Sequence, residues 1–186
     1  MLGWGEMVCV MYGIPYNFLQ LLELDLGQNF IEFISEETFV TLRKLEELHL
    51  DANKLAAVPS EATLRPIAGT LAKLNLGQNA IQTLEANVFH PLKNLRQLNL
   101  TGASILNISL DAFRGLGGLI YDTNTGLNSL SLAYNALDKF PTTALAGLTN
   151  LQRLFIGGNF IERLNADDLR DLQALQVGII KLSVKY

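Results

Sequence analysis

Glu23 and Asp25 recur 24 residues later as Glu47 and His49, with Asp51 two positions further on. Carboxylates and an imidazole at one phase of an alternating pattern are plausible ligands for a hard or borderline cation. However, Glu47, His49 and Asp51 on one extended segment stand ~7 Å apart, too open for a tight chelate without help from the next segment. The expectation is a solvated acidic face holding no metal and no cofactor. Nothing else in the chain assembles into a reactive set. His90 sits beside Pro91 and reads as structural, Gly117-Gly118 is followed by no lysine, and no G-x-S-x-G or nucleophile, base and orienting group occurs. Catalysis is not expected.

The elements that hold these side chains are written in the sequence as a repeat. The pattern L-x-x-L-x-L-x-x-N-x-I-x-x-L occurs six times, at Leu21 to Ile34, Leu45 to Val58, Leu71 to Leu84, Leu95 to Ile108, Leu127 to Phe140 and Leu151 to Leu164. Units of this kind cannot bury their apolar faces alone and must stack, which predicts a solenoid. Leu24 and Leu26 alternate with Glu23, Asp25 and Gly27, the period of a short strand with one buried face. One strand per repeat then builds a parallel sheet.

Asn29, Asn53, Asn79, Asn135 and Asn159 follow each strand where the chain must turn inward. A buried amide at that place can satisfy backbone groups of its own turn and of the neighbouring repeat. Ten residues further come Phe39, Phe89 and Phe113, then Leu145 and Leu169, which should stack as a spine near the convex side.

These residues resemble the leucine-rich repeat family. The 24-residue spacing from Asn29 to Asn53 and from Asn135 to Asn159, with the late phenylalanine, is similar to the extracellular subclass of Toll-type receptors, Slit, chaoptin-like adhesion proteins and the acid-labile subunit. The resemblance implies an α/β-type repeat solenoid, a right-handed superhelix with a concave parallel β-sheet and irregular convex return legs. It also implies a non-catalytic protein-binding module of an extracellular or cell-surface adhesion or receptor protein, with a protein as ligand. The alternative is an intracellular scaffold or enzyme-inhibitor module. Candidate protein-binding residues on the concave face are Glu23, Asp25, Glu47, His49, Asp51, Lys73, Asn75, Arg96, Tyr134, Arg153 and Phe155. Phe155 stands out, because an aromatic in an exposed strand column is typical of interface anchors.

Residues 1–20 read as an irregular leader or partial cap, 21–174 as the array, and 175–186 as a truncated seventh repeat or tail whose pattern lapses at Gly178. Cys9 is the single cysteine, so the disulfide caps usual in extracellular members cannot form within this chain. The expectations are a fragment of a longer repeat protein and self-association through uncapped ends. Met7 to Met11 is apolar, but Glu6 and the lack of a basic lead argue against a signal peptide. No run is long enough to span a membrane.

Two irregularities interrupt the period. The repeat after Asn53 is 26 residues long, and 32 residues separate Ala103, which occupies an asparagine slot, from Asn135. The excess falls around Ile120 to Leu127, where Tyr121 to Gly126 reads as a polar turn that either reaches a partner or is a tolerated insertion. Asn99 and Asn107 head N-x-S/T sequons, although a glycan on Asn99 would obstruct the concave face. Net charge is −4, and ten of the eighteen acidic residues precede residue 71, so charge is graded along the solenoid. No basic stripe supplies phosphate contacts, which excludes nucleic acid as a partner.

Overall fold

The computed structural model of the chain describes residues 9–11, 18–118 and 125–182. Its main sheet has seven parallel strands: β2 (Glu23–Asp25), β4 (Glu47–His49), β5 (Lys73–Asn75), β7 (Gln97–Asn99), β9 (Ser129–Ser131), β10 (Arg153–Phe155) and β11 (Val177–Ile179), adjacent in that order. The chain is a parallel-sheet solenoid of about six turns, as the repeat predicts. Every strand pairs in register, so that Leu24, Leu48, Leu74, Leu98, Leu130 and Leu154 form one inward row. Register is fixed because a slip of one residue would turn every buried leucine to solvent. The row from Leu48 to Leu154 is buried, as are Leu50, Leu76, Leu100, Leu132 and Ile156, two residues further along each turn.

The seventh strand refines the expectation for the tail. Gly178 takes the place of the inward leucine, yet it still pairs with Leu154. Backbone ladder bonds do not require a side chain, so the register continues where the sequence pattern lapses. Within the leader, β1 (Cys9–Met11) runs parallel to β3 (Ile31–Ile34) and forms a small flanking sheet. The rest of the apolar leader segment, and Tyr121 to Asn124 of the insertion, lie outside the described residues.

The return legs are short and varied. A second flanking pair joins β6 (Thr83–Leu84) to β8 (Asn107–Ile108). In the long repeat, Ser60 Oγ accepts from the Thr63 N–H (3.2 Å) and caps α1 (Glu61–Leu64), which passes into a 3-10 turn at Arg65–Ile67. This turn absorbs the extra residues and carries Leu64 and Ile67 into the core. Residues Thr142–Leu145 form α2. Of the spine residues, Phe39, Phe89, Phe113 and Leu145 are buried and Leu169 is partly buried, and the rings of Phe89 and Phe113 stack with centroids 6.0 Å apart and planes 4° from parallel.

The asparagine ladder is the polar counterpart of that spine. Asn53 Oδ1 accepts from the Ile31 N–H (2.9 Å), while its Nδ2 donates to the carbonyls of Leu26 (2.8 Å) and Leu50 (3.1 Å). Asn79, Asn135 and Asn159 repeat the arrangement. Asn29 is exposed and, among the described residues, bonds its own turn at Leu26 and Gly27. Ala103, buried without an amide, breaks the ladder once.

Candidate functional site

Side chains that point away from the core on the main sheet fall into three columns. Glu23, Glu47, Lys73, Gln97, Ser129 and Arg153 form the first, and Asp25, His49, Asn75, Asn99, Ser131 and Phe155 the second, by strand register. A third column continues two residues beyond, at Gly27, Asp51, Gly77, Thr101, Ala133 and Gly157. It exists because the ladder bonds run past the strand ends, from Leu76 N to Asn99 O (2.8 Å) and from Gln78 N to Thr101 O (2.8 Å), for example. Of this column, the alternation in the sequence marks Gly27 and Asp51, and Asp51 alone is a candidate binding residue. Continuing the alternation by one further step would have located the rest.

Between the columns lies a trough of about 390 Å³ bordered by His49, Lys73, Asn75, Asn99, Ser131 and Phe155. Its floor is knitted by side-chain bonds. Asn75 Nδ2 donates to Asp51 Oδ1 (2.6 Å), and Asn99 Oδ1 accepts from the Thr101 N–H (3.0 Å) and hydroxyl (2.6 Å). The Thr101 and Ser131 hydroxyls lie 2.7 Å apart. A hollow of about 410 Å³ on the return legs, around Phe140, Thr142 and Asp168, is slightly larger. There the Thr142 hydroxyl is already committed to the Asp168 carboxylate, and interspersed acids and bases leave no convergent donor set.

At the acidic end, Glu23, Glu47 and His49 each bring one ligand atom within 4.8 Å of the others. Asp25 and Asp51 are engaged elsewhere, Asp25 Oδ1 accepting the Gly27 N–H (2.8 Å). The Lys73 ammonium sits 2.6 Å from Glu47 Oε1, and His49 Nε2 lies 3.7 Å from Glu23 Oε1. The cluster is thus met by a cation from the protein, and tetrahedral zinc would need its ligand atoms only ~3.4 Å apart.

Two sequence-predicted residues lie off the concave columns. Arg96 precedes Gln97, whose side chain borders the trough, so alternation turns Arg96 aside; its Nη1 donates to the Gly126 carbonyl (3.3 Å). Tyr134 stands on the rim, 72% exposed, in a turn with φ 56°. Its ring covers Gly158, whose missing methyl group would lie 2.5 Å from Tyr134 Cδ1. Arg153 is exposed and Phe155 half-buried at the far end of the trough, paired in register with exposed Ile179. Of the sequon asparagines, Asn99 is half-buried in the trough and Asn107 is exposed on the flanking strand β8.

Comparison with known proteins matches the leucine rich repeat model over residues 13–55, 69–121 and 125–177. A solved structure described as the Toll–Spatzle complex, "a molecular hub in Drosophila development and innate immunity (glycosylated form)", is similar at 22% identity with a TM-score of 0.67. The match covers 86% of this chain and 21% of that one, so the chain spans about a fifth of the length of its structural neighbour. No curated protein sequence matches. Among the described residues, no helix is long and apolar enough to cross a membrane.

Proposed function

The chain belongs to the leucine-rich repeat family, and from that premise we propose that it is a non-catalytic protein-binding module whose working surface is the concave strand face. The observation that carries this reading is the trough itself. It presents amides, hydroxyls and one half-buried aromatic on a rigid hydrogen-bonded sheet, with acidic groups at one end and Arg153 toward the other. A preorganised, graded polar surface with an aromatic anchor suits a protein partner. The similar structure contains Toll in complex with Spatzle, which supports a protein as ligand.

The 24-residue repeat and that likeness support an extracellular or cell-surface setting. A second reading, an intracellular scaffold or inhibitor module, is favoured by the single thiol of Cys9.

The test begins with a partner identified by cross-linking to the chain. Phe155→Ala and the double variant Glu47→Lys with Asp51→Lys should each weaken that partner at least about tenfold, with circular dichroism unchanged. Unaltered affinity in both would remove the concave face from consideration.

A further inference from the structure

Along the trough, second-column side chains reach back to the third-column residue of the preceding strand. Asn75 meets Asp51 in this way, and Ser131 meets Thr101. The Thr101 proton is spent on Asn99 Oδ1, so Ser131 is the donor in the second link. Between these two links the pattern breaks, because the third-column residue facing Asn99 is Gly77. Asn99 is not free to flip, since its oxygen is held by both the N–H and the hydroxyl of Thr101. Its Nδ2 is therefore turned toward the Gly77 side, and a methyl group added to Gly77 would lie 3.6 Å from it. Among the described residues, that nitrogen has no acceptor. Gly77 cannot readily supply one, because a Cβ there would come 2.9 Å from the Thr101 carbonyl oxygen. In the free chain this nitrogen is open to solvent, and because it is fixed in direction, a partner that covers it without supplying an acceptor pays for its desolvation.

We propose that this notch receives a backbone carbonyl from an extended segment of the protein partner, whose next apolar side chain rests on Phe155. The proposal builds on the concave-face reading above. Charge selects a neutral acceptor. The Asp51 carboxylate stands one strand away, ~4.8 Å along the sheet, and would repel a second carboxylate. Lys73, the cation that borders the trough, is already held by Glu47 at 2.6 Å. Spacing selects an extended chain: β5 to β10 is three strand steps, ~14 Å, which an extended peptide covers in about four residues. Beyond Phe155 the exposed side chains of Val177 and Ile179 continue an apolar surface, better suited to aliphatic or aromatic side chains than to sugar hydroxyls.

The experiment uses the full chain and a displayed library of peptides of roughly seven residues, long enough for the ~14 Å span. Enriched peptides should lose about tenfold or more in affinity for both Asn99→Asp and Phe155→Ala, the loss expected when a buried bond or anchor goes. Asn99→Asp keeps the acceptor that Thr101 needs, so its thermal melt should match the native chain. The side-chain amide resonance of Asn99 should shift when peptide is added. Loss of binding in Phe155→Ala alone would overturn the notch while leaving the concave-face reading intact. Equal binding to both variants would overturn both. Absence of enrichment, or binding on a glycan array in its place, would show that the partner class is wrong.

Discussion

Asn79 donates its side-chain amide to the carbonyl of Leu50, 2.9 Å away in the preceding turn, while its oxygen accepts the N–H of Leu55 (3.0 Å). The same amide also donates to the Leu76 carbonyl (3.0 Å), so one side chain, 6% exposed, closes its own turn and fastens it to its neighbour. Asn79→Ala would strand backbone groups in the interior. The expected loss is about 3 kcal/mol, read as a lower urea midpoint. A change below about 1 kcal/mol would mean that water replaces the amide.

Ala103 offers the reverse experiment. Its slot is buried, and the N–H of Ile81 is the group that an amide there would serve, as Asn79 serves Leu55. Ala103→Asn should raise stability by about 1 kcal/mol, the net worth of a typical internal hydrogen bond. If the midpoint falls, the slot has closed around the smaller methyl group.

The stacked pair Phe89 and Phe113 predicts a larger effect. Both rings are buried, and truncating Phe89 leaves a cavity in the middle of the spine. Phe89→Ala should cost about 4 kcal/mol in equilibrium unfolding. Two transitions in place of one would show that the turns on either side melt independently.

At Tyr134 the backbone is left-handed, as it is at Gln28, Ala52, Gln78, Gly102 and Gly158, each directly before an asparagine slot. That conformation is unfavourable for a bulky side chain and tolerated by asparagine. Thermal melts should therefore show Tyr134→Asn at least as stable as the native chain, and Tyr134→Val less stable by about 1 kcal/mol. The opposite order would mean that the ring's cover over Gly158 outweighs the backbone term.

Titration with zinc or calcium should reveal no stoichiometric site at Glu23, Glu47 and His49, because the Lys73 ammonium already occupies Glu47. A micromolar site abolished by His49→Ala in calorimetry would refute this.

What was legible in the sequence was everything that repeats. Leu24 and its successors specify strand register, because alternation with one buried face permits a single phase. Asn53, Asn79, Asn135 and Asn159 declare the inward turns, and Phe89 and Phe113 the spine. What only the tertiary structure decided are meetings between residues two dozen or more positions apart, which depend on how one turn sits on the next. Gly178 keeps its register through the backbone alone, and Arg96 is turned off the concave face toward Gly126. Tyr134 lies across Gly158. Asn99 faces a glycine where Asn75 faces a carboxylate. Such pairings follow from stacking geometry across strands ~4.8 Å apart, and no local pattern encodes them.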